Sequence, residues 1–522
     1  MAPSQAAAGV PRRNAAISQT RARGVRHPRA MGEDITALTF TREDRQLYRE
    51  KVHRCLDVLA RMLEESRFEF EQPQTGMEVE LNLVDEDGRP SLRNAEVLDH
   101  IDDPSFVQEL GRFNLEINVP PKSLRADGVD QYEAEVRDAL NAAEARAREI
   151  GAHMVMIGIL PTLFDEHMTP ESLSSNPRFA MLDQQLLLAR GEDLRIDIRG
   201  EQEVLSVFAD SIIPEAACTS VQFHLQVSPD EFAQTWNAAQ CLAAVQVAIG
   251  ANSPFFLGTR LWNETRIALF TQAADTRTVE LKAQGVRPRV WFGERWITSV
   301  FDLFEENTAY FPALLPIIND EDPVTVLDAG GTPMLHELRL HNGTVWRWNR
   351  PVYDIAEGTP HLRVENRVLP AGPTVVDMLA NGALYFGALK TLATQERPLW
   401  SQMAFATAEE NFTNAAVSGI DSTVFWPGMG ELPVSELALR RLLPLAHDGL
   451  REWGVDDAIR ERLLGIIEGR CTTGRNGATW QSEGVATLEA RGLDRREALR
   501  IMTREYVDRM HSNEPVHTWS SL

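Results

Sequence analysis

Glu78 and Glu80 stand two residues apart in Thr75–Val84, TGMEVELNLV. On an extended backbone successive side chains alternate, so both carboxylates share a face with Asn82 while Met77, Val79, Leu81 and Leu83 take the other. Two ionised carboxylates that close repel each other; open water can screen them, or a divalent cation can bind between them. The same grammar recurs. FNLEINVP (Phe113–Pro120) sets Asn114, Glu116 and Asn118 against Leu115, Ile117 and Val119; VQFHLQV (Val221–Val227) presents Gln222, His224 and Gln226; HLRVENRVL (His361–Leu369) sets Arg363, Glu365 and Arg367 against Leu362, Val364 and Val368. Glutamates, an imidazole and amide oxygens without thiolates make a donor set that suits Mg²⁺ or Mn²⁺ better than structural zinc. Such ions bridge nucleotide phosphates, and arginines beside them neutralise a phosphoryl group in transfer. The chemistry indicated is phosphoryl transfer from ATP. No GxxxxGK[ST] loop occurs, so metals and arginines would have to hold the phosphates.

Such residues need a scaffold. Each strand hides one apolar face, so four of them read as one sheet with a lined concave face in an α+β fold. A chain of 522 residues exceeds one ordinary core. Residues 1–30, rich in Ala, Ser and Arg and without an acid, read as a disordered basic extension, with a transit-type signal or a start at Met31 as the alternatives. Residues 31–374 form the catalytic α+β domain, and residues 375–522 a mostly helical C-terminal subdomain.

Helices are expected from a Thr41–Asp44 capping box, over Gln131–Ile150, from Asn176-Pro177 and over Asp230–Gly250. MVMIGIL (Met154–Leu160) reads as a buried strand and Thr278–Lys282 as an alternating one. Asn342-Gly343 signals a hairpin within His336–Tyr353. Pro120-Pro121 and Arg350-Pro351 should end their strands, since proline lacks the ladder donor.

The net charge of −24 argues against a nucleic-acid partner. No apolar run reaches the roughly 20 residues that span a bilayer; Val375–Ala393 carries Asp377 and Lys390 and reads as a core helix. Cys55, Cys218, Cys241 and Cys471 are scattered without metal spacing, which fits a reducing cytoplasm.

GMEVELNLV, FNLEINVPP, VQFHLQV, WRWNRPVY and RVENRVLP, in that order, resemble the glutamate–cysteine ligase family, and most closely its type-2, carboxylate–amine ligase branch, over roughly Thr75–Gly419. The resemblance implies a glutamine-synthetase-like half-barrel: a curved antiparallel sheet, helices on its convex side, and a concave face for ATP and two or three Mg²⁺ ions, with Mn²⁺ as a substitute. It implies a ligase that phosphorylates the side-chain carboxylate of glutamate and lets an amine such as cysteine attack the acyl phosphate, as in glutathione-like thiol biosynthesis. By position, Glu78, Glu80, Glu116 and Glu365 match metal ligands. Gln222 falls where relatives have His or Gln, and His224 stands two residues on; either could be the ligand, with His224 favoured. Arg367 and Arg350 match active-site arginines, and Arg178 and Arg363 complete the substrate-binding set with Gln222. Asn366 replaces an apolar residue, and Leu369-Pro370 an acidic one. Partners are small molecules; a homo-oligomer is left open.

On the residues alone His224 could be a hydrogen-bonded structural histidine, Arg363 a partner of Glu365 or a neighbouring acid, and Arg178 a helix-start residue. Rival readings are a phosphotransferase on the same scaffold and a non-catalytic nucleotide- or metal-binding protein.

Overall fold

A computed structural model describes residues 40–68, 70 and 73–522; the expected basic extension lies outside the described residues. Seven antiparallel strands form the main sheet: β1 (Thr75–Val84), β2 (Phe106–Gln108), β3 (Asn114–Lys122), β4 (His153–Val155), β5 (Ser220–Gln226), β6 (Asn349–Ala356) and β7 (Thr359–Pro370). Their order is β6-β7-β5-β1-β3-β2. One edge of β1 is shared, with β5 along its first half and β4 along its second. The sheet curls into a half-barrel.

Its convex face is apolar for the reason the alternation implies: Met77, Val79, Leu81, Phe223, Leu225 and Val364 are all buried. The helices Pro229–Gly250 and Val375–Ala393, almost wholly buried, cover it. Phe223 meets Phe386 edge-on at 5.6 Å. That approach needs Gly382, because a Cβ there would stand 3.0 Å from the Phe223 ring.

Asn366 also belongs to this convex face. Its amide and those of Asn349, Gln240 and Gln246 form a closed buried ladder. Gln246 Nε2 donates to Asn366 Oδ1 (2.9 Å), Asn366 Nδ2 to Asn349 Oδ1 (2.7 Å), Asn349 Nδ2 to Gln240 Oε1 (2.7 Å), and Gln240 Nε2 to the Phe292 carbonyl (2.6 Å). A polar residue is tolerated in an apolar layer here because its hydrogen bonds are met.

Several expectations hold. Thr41 and Asp44 cap the helix Arg42–Glu64 reciprocally at 3.1 and 2.8 Å, Asn176 caps Pro177–Arg190, and the helices Gly128–Glu149, Pro229–Gly250 and Val375–Ala393 lie where their patterns put them.

Others are corrected. Thr278–Lys282 is not a strand: Thr278 caps a short helix, Val279–Ala283. Asn342-Gly343 closes the helix His336–Asn342 rather than a hairpin. MVMIGIL pairs only as far as Val155; beyond it the Met156 carbonyl accepts from the Tyr506 hydroxyl at 2.8 Å and the Gly158 amide donates to the Asn252 carbonyl at 3.2 Å, so the chain leaves the ladder while staying buried. β3 runs through Pro120-Pro121 to Lys122, because β1 slips register there between Thr75 and Met77 and β2 has already ended. Arg350-Pro351 lies inside β6, which as the sheet's edge strand tolerates a missing donor.

The helices from residue 375 onward are tied to one another by a buried ion pair. Arg470 donates to Asp377 Oδ1 (2.7 Å) and Asn381 Oδ1 (2.6 Å), and the Val516 amide closes on Asp377 Oδ2 (3.1 Å). With both side chains essentially unexposed, Arg470→Ala strands a carboxylate in the core. Equilibrium unfolding in denaturant should show about 3–5 kcal/mol lost, and the Asp377→Leu/Arg470→Met pair distinctly less.

Candidate active site

Strand register assembles the polar face. Glu80 stands opposite Glu116 across β1 and β3, and Glu78 lies between Asn118 and Gln222. On the other flank His224 stands opposite Glu365, and Glu365 opposite Arg350. Residues nearly 290 positions apart in the chain thus meet on one surface, and Glu78, Glu80, Glu116 and Glu365 all line it.

One oxygen each of Glu78 and Glu365 and a ring nitrogen of His224 lie within 4.8 Å of one another. His224 is buried, and its Nε2 sits 3.2 Å from Glu78 Oε1 without the alignment of a hydrogen bond. Nδ1 accepts from Arg363 Nε at 3.1 Å. A buried ring nitrogen left unsatisfied beside two carboxylates is a fit for a divalent cation. For Nε2 to ligate, the neutral ring must carry its proton on Nδ1, so Arg363 would then have to release it. Gln222 is engaged at both ends: Nε2 donates to Glu80 Oε1 (2.9 Å) and Oε1 accepts from Arg367 Nη1.

The face has two poles. At the basic one, Arg350 holds Glu365 with two donors, Nη2 at 2.8 Å, and Arg367 Nη1 lies 3.2 Å from the same carboxylate. Burial pushes Glu365 up, but Arg350, Arg367 and His224 outweigh it and leave the carboxyl far below its usual range. Arg363 pairs with Asp354 at 3.1 Å and not with Glu365; Asp354 in turn takes Arg339 at 2.7 Å. Arg178 sits half-buried at the first turn of Pro177–Arg190. Burial and the neighbouring Arg350 charge lower its affinity for its proton, against the opposing pull of Glu109.

At the acidic pole charges accumulate. Glu80 accepts from the Ser220 amide at 2.6 Å, yet burial holds it above its ordinary value. Glu116 accepts only from Asn118 Nδ2 (2.9 Å) among the hydrogen bonds described; burial, then Glu78, Glu109 and Glu80, drive it well up. Glu109 and Glu215 belong to this pole although no strand pattern flags them. Burial and Glu80 raise Glu109 to about 7, and burial, Glu109 and Glu80 raise Glu215 to about 8. Glu109 follows a strand of three residues and Glu215 sits in a four-residue helical turn, Ile213–Ala216, too short for any period. Their signal was only the acid beside each short apolar run.

Raised carboxyls fix a sign. The folded state keeps protons that the unfolded chain has lost, so their contribution to stability is complete below pH 4.5 and is lost as pH rises through the folded values. In metal-free protein, Glu215→Gln should make the slope of melting temperature against pH less negative between pH 5 and 8, read by scanning fluorimetry.

Other groups near this face are structural. The Cys218 thiol is pushed well up by burial and Glu215. Asn82 and Asn114, expected on the polar face, are buried and bond to each other at 3.1 Å, closing the end of the sheet. Trp348 packs on Phe270. Among the described residues, no helix is long and apolar enough to cross a membrane.

Solved structures similar to this chain match it at low identity. The glutamate–cysteine ligase of Francisella tularensis, solved with AMP, superposes with a TM-score of 0.50 at 14% identity, covering 86% of this chain and 91% of its own. A bifunctional glutathione synthetase from Pasteurella multocida gives 0.45 at 11%, covering 87% of this chain and 54% of its own. No curated protein matches the sequence. The sequence model of glutamate–cysteine ligase family 2 matches residues 74–484, which takes in every strand of the half-barrel and all ten residues expected at the site. The chain is a member of glutamate–cysteine ligase family 2.

Proposed function

We propose that the chain joins the side-chain carboxylate of glutamate, or a similar acid, to an amine such as cysteine at the expense of ATP, through an acyl phosphate. The observation that carries this reading is the meeting of Glu78, Glu80, Glu116, His224 and Glu365 on one sheet face beside Arg350 and Arg367. Glu78, His224 and Glu365 would hold one Mg²⁺, and Glu80 and Glu116 would serve a second; bound ions would offset the charge of the nucleotide phosphates.

The chain's own residues then have separable tasks. Arg367 and Arg350 present fixed donors where charge develops on the transferring phosphoryl group. The bond between the γ-phosphorus and its bridging oxygen breaks as the carboxylate oxygen bonds to phosphorus, and ADP leaves. The amine nitrogen next attacks the activated carbonyl carbon, phosphate departs, and the amine loses a proton. Glu365, held ionised by its arginines, keeps both guanidinium groups aimed at the site. Gln222 spaces Arg367 from Glu80, so the cation and the acid do not collapse onto each other.

The test incubates purified protein with ATP, Mg²⁺, glutamate and a panel of amines and weighs the products. ADP formation that requires both the acid and an amine, with an amide of matching mass, supports the ligase. ADP without amide moves the reading to a phosphotransferase, and no nucleotide binding in the presence of Mg²⁺ overturns catalysis altogether.

A further inference from the structure

β7 does not run straight past the site. It pairs with β5 at Asn366 opposite Phe223 and resumes at Leu369 opposite Val221, so Arg367 and Val368 together face Gln222 alone. Two residues against one make a β-bulge, which bends the strand and re-aims a side chain. It also takes backbone groups out of the ladder, and buried ones must find partners elsewhere. The Arg367 amide donates to the Trp348 carbonyl at 2.8 Å. The carbonyls of Arg367 and Val368 turn instead to one buried guanidinium: Arg266 Nη1 reaches the first at 3.4 Å, and Nη2 donates to the second.

Arg266 is itself tightly held. It is 2% exposed, Nε donates to Glu264 Oε1 at 2.9 Å, and the plane lies 5.6 Å from the Trp348 ring. Glu264 is wholly buried, and its other oxygen accepts from the Asn252 amide at 2.8 Å. A buried ion pair costs desolvation on both sides. The guanidinium fork matches the spacing of the two bulge carbonyls.

We propose that Arg266 is the positioning residue for Arg367: its fork, locked by Glu264, holds the bulge carbonyls so that Arg367 points onto Gln222 and Glu365. The inference rests on the role given to Arg367 above. A lysine at 266 keeps the charge on Glu264 but cannot span both carbonyls.

Arg266→Lys is therefore expected to fold, to lower kcat about 10- to 100-fold with KM for ATP within about threefold, and to show Arg367 swung off Gln222 in a crystal structure. Combined with Arg367→Ala it should run no slower than Arg367→Ala alone. The paired variant Glu264→Gln/Arg266→Met removes both charges together and should reproduce the kinetic and structural effect. Losses that multiply in the double variant, or a rise in KM for the carboxylate substrate with kcat and bulge unchanged, overturn the proposal; the latter makes Arg266 a direct substrate contact. An unmoved Arg367 in crystals of Arg266→Lys and of the paired variant overturns it whatever the enzyme's reaction proves to be. A displaced Arg367 with unaltered chemistry instead faults the role assigned to Arg367.

Discussion

Without divalent cation, the Glu116→Gln protein should melt above the native chain; with Mg²⁺ and ATP it should turn over about 100-fold more slowly or worse. The two effects have opposite signs for one reason. Glu116 is buried against Glu78, Glu109 and Glu80 with an asparagine as its described hydrogen-bond partner. Burial and these carboxylates raise it well above its ordinary value of 4.5, so folding at neutral pH carries a cost that the neutral amide avoids. Because the folded value is the raised one, the gap between variant and native chain widens as pH climbs above 4.5. Added Mg²⁺ should reverse the order, since a ligand stabilises the state that binds it, by RT ln(1 + L/Kd) with L the free ligand concentration. Melting curves with and without Mg²⁺ decide the matter. A metal-free Glu116→Gln protein that melts lower, or one that keeps native turnover, removes Glu116 from the metal set.

Arg367→Ala should lower the rate of ADP release about 1,000-fold or more while the KM for ATP moves only a few-fold, as expected for a cation that acts on the transition state rather than on bound nucleotide. Its guanidinium reaches Gln222 and Glu365 together. Glu365 keeps its two-donor contact with Arg350 in the variant, so circular dichroism and melting should stay close to native. Arg367→Lys restores charge without the fork and should recover only part of the rate. Native-like turnover in Arg367→Ala would sink the assignment of the basic pole.

The strands were legible because their period of two is carried by residues that must be buried. Val79, Ile117, Phe223 and Val364 pack into the core, so Glu78, Glu116, His224 and Glu365 take the opposite face of the sheet. Register was not legible, since it depends on which strand neighbours which; Glu80 meets Glu116 because β1 pairs with β3, and Glu365 meets His224 and Arg350 because β7 lies between β5 and β6. Glu109, Glu215 and Arg266 were missed for a related reason. Each acts from a loop or a helix start, where no repeat distinguishes a working residue from a solvated one. Thr278–Lys282 alternates like a strand, but five residues carry too little information to choose, and the Thr278 cap decides for helix. The prolines at 120 and 351 were read by a rule for interior ladders, whereas here one pair sits at a bulge and the other residue on an edge.

The amide ladder on the convex face bears on how this chain finds its pairing. Sliding β7 by one residue along β6 would turn Asn366 away from Asn349 and strand its partners among hydrocarbon, at about 1–3 kcal/mol for each orphaned group. An apolar residue at 366 would pack almost equally well in either alignment. The amides therefore penalise misfolded alternatives more than they reward the native one, and the same slip they forbid would turn Arg350 away from Glu365. Faithful assembly of the polar face is thus enforced from behind, by side chains that do not reach it.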